Sequence, residues 1–224
     1  MDDYLTEAEQ WDRVKTYIRE EGPWVIAIVA VGALAFSGWR WWQSRAEQQA
    51  LDAAARYEQV LLAFDHGDRA RALTLVEELR HEHSGSPYVD QADLAAARFF
   101  VESNETDRAI ARLRAVMGGS RDPELATIAR LRLARVQVSA GKPDDALATL
   151  GSSDAGAFAP RFHEVRGDAY FAKGDKTAAL REYQAAQLAA PPSASPGDLL
   201  TLKINDLAGE AHASQPPAAN AAAR

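Results

Sequence analysis

The stretch Arg166-Gly-Asp-Ala-Tyr-Phe-Ala-Lys-Gly-Asp-Lys-Thr-Ala-Ala-Leu-Arg-Glu-Tyr-Gln-Ala-Ala-Gln-Leu-Ala-Ala-Pro191 decides the fold. Its apolar residues recur at helical spacing on both sides of Gly174-Asp175, so it predicts two helices, 160–173 and 177–189, folded against each other at that turn. Glycine at the turn tolerates positive φ. Gly167 and Ala179 are small and let two backbones approach closely, while Tyr170 and Tyr183 fill the space between them. Pro191, followed by Pro192, stops the second helix.

The same hairpin recurs upstream. Helical patterns over 46–64 and 69–81 meet at His66-Gly67-Asp68, those over 88–103 and 107–117 at Asn104-Glu105, and those over 123–140 and 144–150 at Gly141-Lys142-Pro143. The turn residues Gly67, Asn104, Gly141 and Gly174 lie 37, 37 and 33 residues apart, a period that marks stacked helical hairpins. Five residues beyond each turn stands an alanine: Ala72, Ala109, Ala146 and Ala179. Other places in the frame vary, with Phe100 aromatic where Ala63 and Gln137 are not. The expected fold class is all-α: a right-handed α-solenoid over residues 46–207, closed by a capping helix over 198–207 with Leu199, Leu202 and Leu207 on its buried side. The alanine- and proline-rich segment 208–224 reads as a disordered tail.

A different pattern precedes the hairpins. Residues 22–39, GPWVIAIVAVGALAFSGW, carry no charge. As a helix they reach ~27 Å, close to the hydrocarbon thickness of a bilayer. Trp24 stands at one end and Trp39, Trp41 and Trp42 at the other, with Arg40 among them and Arg45 just beyond, as interfacial anchors do. Residues 22–42 are therefore expected to be a single transmembrane helix in contact with the lipid bilayer, behind a short acidic segment, 1–21. A cleaved signal peptide fits less well, because 1–21 holds seven acids against three bases. Charge does not orient the span: Arg13, Lys15 and Arg19 precede it and Arg40, Arg45 and Arg56 follow.

Composition narrows the function classes. The formal charge is −7 and the pI near 5.3, with no Lys/Arg block, which disfavours nucleic acid. There is no cysteine, hence no disulfide, thiolate–zinc site or thiol catalysis. His81 and His83 are two apart and diverge on a helix, and His66, His163 and His212 have no neighbouring ligand pattern. No phosphate loop, GxSxG or HExxH occurs. The expectation is a protein-binding scaffold, not an enzyme, with no cofactor, no metal and no small-molecule substrate.

Two resemblances sharpen this. The 167–191 unit has the spacing of the tetratricopeptide consensus, whose stacked units line a concave groove with their first helices. That resemblance implies groove positions at Arg98, Glu102, Arg135, Val138, Asp168 and Phe171, although each alone suits an ordinary solvated or inter-repeat place. Three further stretches, in order, resemble the YfgM family of ancillary translocon subunits of Gram-negative bacteria. They are Gly38-Trp39-Arg40-Trp41-Trp42, then Leu131-Arg132-Leu133-Ala134-Arg135-Val136-Gln137-Val138, and last Arg166-Gly167-Asp168 with Lys173-Gly174-Asp175-Lys176 and Leu202-Lys203-Ile204-Asn205-Asp206-Leu207. The resemblance runs from about Tyr4 to Leu207. It implies a bacterial inner-membrane protein, N-terminus cytoplasmic and repeats periplasmic, working with the SecYEG channel and a PpiD-like chaperone in protein export. The alternative from the residues alone is a membrane-tethered scaffold or regulator of another envelope assembly.

Overall fold

The computed structural model describes residues 7–151, 155–191 and 198–213, with side chains described at 24, 27–45, 47–151, 155–191 and 199–209. The expected tail beyond 213 lies outside the described residues, as do the first six residues of the expected cytoplasmic segment. Every regular element among the described residues is helical. In chain order they are α1 (Glu7–Asp65), α2 (Arg69–Glu82), α3 (Pro87–Glu102), α4 (Thr106–Gly119), α5 (Pro123–Ser139), α6 (Pro143–Leu150), a 3-10 turn (Gly156–Phe158), α7 (Ala159–Ala172), α8 (Lys176–Ala189) and α9 (Asp198–Ala213). The chain forms two compact units, Met1–Asp52 and Ala53–Arg224.

In the second unit each hairpin closes on the same bond pattern. The turn residue's N–H donates to the carbonyl three back, and the next N–H donates to the carbonyl four before the turn residue. These are Asp68 to Ala63, Glu105 to Phe100, Lys142 to Gln137 and Asp175 to Tyr170, at 2.9, 2.7, 2.8 and 3.0 Å. This is a Schellman closure, and it needs a left-handed residue at the turn. Gly67, Asn104, Gly141 and Gly174 all have it, with φ of 73°, 59°, 72° and 81°. Starts are set as locally: Asp68, Ser86, Asp122 and Asp175 each accept a backbone N–H of the following helix.

Packing follows the frame. Ala72, Ala109, Ala146 and Ala179 are all 0% exposed. Seven residues before each turn and nine after it stand Val60 and Val76, Ala97 and Leu113, Ala134 and Leu150, Gly167 and Tyr183, every one buried. The buried side chains fall into three successive clusters: one across α1–α5, one across α5–α7, and one of Ala179, Tyr183 and Leu207 joined by Tyr170, Leu180, Leu200 and Ile204. Buried polar groups are answered: Gln137 Oε1 accepts from Thr149 at 2.8 Å, and Asp93 accepts from Arg80 at 2.6 Å and Arg112 at 2.9 Å.

The capping helix corrects the expected face. α9 turns Leu200, Ile204 and Leu207 inward, while Leu199 and Leu202 are 62% and 63% exposed. The inward residues follow an i, i+4, i+7 stripe, which the pair 199/202 does not join. The helix also continues to Ala213, past the expected end at Leu207.

In the first unit, Ile28, Val29, Val31, Leu34, Phe36, Trp39, Trp41 and Trp42 are between 61% and 74% exposed. The Trp39 and Trp42 rings lie 5.9 Å apart, and the Arg45 guanidinium sits 4.7 Å from the Trp41 ring centre. Among the described residues no helix is long and apolar enough to cross a membrane. The side chains at 22, 23, 25 and 26, where the uncharged run begins, lie outside the described residues.

Candidate protein-binding surface

Helices α3, α4 and α5 enclose an open trough of about 290 Å³, lined by Leu94, Ala97, Arg98, Val101, Glu102, Leu113, Arg132, Arg135 and Val136. The residues from α3 sit at 94, 97/98 and 101/102, one face of one helix, and 132 and 135/136 are one turn apart on α5. Five aliphatic side chains make the walls and four charged ones the rim. Arg98 Nε donates to Glu102 Oε1 at 2.7 Å, an exposed i,i+4 pair worth little in stability but one that neutralises that side of the rim. Arg132 and Arg135 have no carboxylate within ion-pair distance among the described residues. Arg132 is close enough to act on Tyr57 of α1: burial pushes the Tyr57 hydroxyl up and the guanidinium charge pulls it partly back.

Of the six groove residues expected from sequence, Arg98, Glu102 and Arg135 come together here. Val138 is instead half-buried against the second core cluster. Asp168 does not face an open groove. It accepts from the Tyr183 hydroxyl at 2.8 Å and from Lys203 of α9 at 2.6 Å, and Lys203 also stands 3.7 Å from Glu164. Burial drives the Tyr183 hydroxyl far above its ordinary range, and its bond to the Asp168 carboxylate adds to that. Phe171, one turn beyond Asp168 on α7, is 50% exposed and does not line the trough.

Leu94, Val101 and Arg132 line the trough and were not picked out from the sequence. Val101 had a usable signal: it lies three before its turn, as Val138 and Phe171 do before theirs, whereas Glu102 lies two before. A second, polar concavity of about 400 Å³ lies among Ser84, Gly85, Ser86, Pro87, Asp90, Gly119, Arg121 and Asp122. Among the described residues no group of three or more His, Asp or Glu side chains is placed to hold a metal ion. What the α3–α5 trough offers is apolar contact beside cationic hydrogen-bond donors. That is recognition chemistry.

The sequence profile of the tetratricopeptide repeat-like domain matches residues 15–209. The ancillary SecYEG translocon subunit of Escherichia coli (strain K12) is 30% identical over 207 residues, which is 92% of this chain and 99% of that protein. The protein of the same name from Neisseria gonorrhoeae is 28% identical over 205 residues, covering 91% and 98%. Among solved structures, the crystal structure of the P58(IPK) TPR domain superposes with a TM-score of 0.45 at 16% identity, over 73% of this chain and 48% of that one. With its hairpins matched by the repeat profile and its length matched almost end to end, the chain belongs to the family of the ancillary SecYEG translocon subunits, built on a tetratricopeptide repeat-like domain.

Proposed function

We propose that the protein is a membrane-anchored, protein-binding scaffold that serves the SecYEG translocon and links it to a periplasmic chaperone of the PpiD type and to newly exported chains. It acts by holding polypeptide, not by catalysis. Kinship along 92% of the chain with a protein named an ancillary SecYEG translocon subunit supports the translocon part of this reading. The trough between α3 and α5 supplies a surface suited to it.

The anchor is the helix over residues 22–42, with the N-terminus cytoplasmic and the solenoid periplasmic. Support comes from the uncharged run at 22–39 and from a row of large apolar side chains, Ile28 to Trp42, that no protein surface covers among the described residues. Lipid is the natural cover for such a surface, and tryptophans with Arg40 and Arg45 mark its edge. Tethering to the bilayer raises the local concentration of the solenoid at the channel, so individual contacts can be weak and still count.

The test is affinity purification of the full-length chain from detergent-solubilised membranes. SecYEG subunits and the chaperone are expected in the eluate, and their absence overturns the proposal. Protease added outside spheroplasts is expected to remove the solenoid and leave the N-terminal segment intact. Recovery of the full-length chain in the soluble fraction without detergent sinks the anchor.

A further inference from the structure

Apolar walls alone do not discriminate one exported chain from another, but the rim of the α3–α5 trough is not neutral. Glu102 takes up Arg98 at 2.7 Å. Arg132 and Arg135, one helical turn apart on α5 and both exposed, keep their full donor capacity beside Val101, Leu94 and Val136. The chain as a whole carries −7, so this small cationic rim runs against the charge of the molecule around it. A ligand rich in acid is repelled at long range, and a purely apolar one leaves two guanidiniums unsatisfied at its edge. The ligand that satisfies both walls and rim places apolar side chains in the trough and one or two carboxylates on the α5 side.

We propose that the trough is a docking site for a polypeptide segment in which apolar side chains are flanked by Asp or Glu, with Arg132 and Arg135 receiving the carboxylates. This rests on the scaffold function above and names the chemistry of its partner. At about 290 Å³ the trough lies at the lower limit of pockets that enclose small molecules, and it is open along its length. That shape suits a few side chains of a passing chain. Guanidinium groups are the donors best matched to a carboxylate, through two parallel N–H bonds.

The experiment uses the full-length protein in detergent and three fluorescent peptides of equal length, read by anisotropy. The first carries Leu and Phe with two Glu; the second has Lys for Glu; the third has Ser for Leu and Phe. The first is expected to bind about tenfold tighter than either of the others, a preference that shrinks as salt is added. Arg132→Glu with Arg135→Glu is expected to reverse the order of the first two peptides, with helicity by circular dichroism unchanged. Should that pair disturb the fold, Arg132→Gln with Arg135→Gln removes the charge and is expected to abolish the preference. Equal binding of all three peptides, preference for the Lys peptide by the unaltered protein, or no binding at all overturns the docking proposal. Co-purification of SecYEG is scored on the same preparations. If SecYEG is retained without peptide preference, only the trough proposal fails; if the preference holds without SecYEG, only the translocon assignment does.

Discussion

The second hairpin, α3/α4, and the fourth, α7/α8, occupy the same frame and solve it with opposite residues. Eleven before the turn and eight after it, the second hairpin pairs Asp93 with Arg112 at 2.9 Å, and the fourth pairs His163 with Glu182 at 2.8 Å. The acid has changed helices. At the crossing, seven before and nine after the turn, Ala97 and Leu113 become Gly167 and Tyr183. As the residue on the first helix loses volume, its counterpart on the second gains it. Close packing therefore constrains the summed volume at the crossing, with the smaller member on the first helix both times, while the polar pair is free to exchange its acid between helices.

The largest expected difference concerns the polar pair. Asp93 is 4% exposed and binds two guanidiniums, so Asp93→Ala takes their buried partner from Arg80 and Arg112 and leaves them only the more exposed Glu77. The loss is about 2–3 kcal/mol by urea unfolding, below the range for a wholly buried pair because the Arg80 side chain is 39% exposed. The matching change in the fourth hairpin, Glu182→Gln, is expected to cost only about 0.5 kcal/mol, since both partners reach water. Equal losses at the two sites would break the comparison.

Between those magnitudes stands the crossing itself. A Cβ on Gly167 would meet the Tyr183 ring at 2.4 Å, and that ring is buried. Overpacking of about 1–3 kcal/mol outweighs the ~1 kcal/mol that alanine gains over glycine in a helix. Gly167→Ala is thus expected to destabilise by up to about 2 kcal/mol. Adding Tyr183→Leu rebuilds the Ala/Leu pair of the second hairpin and is expected to recover part of it, with a coupling of about 1 kcal/mol. Simple additivity of the two changes would show that the pair is not a volume couple.

The smallest effect is one of pH. At Glu77, burial pushes the carboxyl up, but the bond and charge of Arg112 and the charge of Arg80 win and hold it below its ordinary value. A carboxylate lowered in the folded state contributes stability that is present above its ordinary value of 4.5 and is lost as pH falls through the lowered one. The stability difference between the unaltered chain and Glu77→Gln is expected in full at roughly pH 6 and should shrink as the pH is taken down below the ordinary carboxylate value, as thermal unfolding can check.

These comparisons also show what was readable in advance. Gly67, Asn104, Gly141 and Gly174 gave away the turns because only a few residue types accept positive φ. Ala72, Ala109, Ala146 and Ala179 gave away the buried face because little else fits there. Both constraints are local, so a linear pattern carries them. The Lys203–Asp168 contact joins residues 35 apart, and no local rule foretells it. The same distance explains the capping helix: Leu199, Leu200 and Leu202 are equally apolar, and only docking on Tyr183 and Leu180 selects Leu200. Half of the expected groove residues share the trough because Arg98 and Arg135 hold one frame position on neighbouring repeats. Asp168 holds it too, but there α9 takes the carboxylate.

That the buried side chains form three clusters in series has a consequence for how the molecule comes apart. Each cluster leans on its neighbour, so stability is spread along the stack and need not vanish in a single step. The last cluster is the smallest, three buried residues closed by one helix. Amide exchange should therefore run fastest in α9 and slow toward α3, with the polypeptide fraying from its C-terminal end while the interior hairpins are still protected.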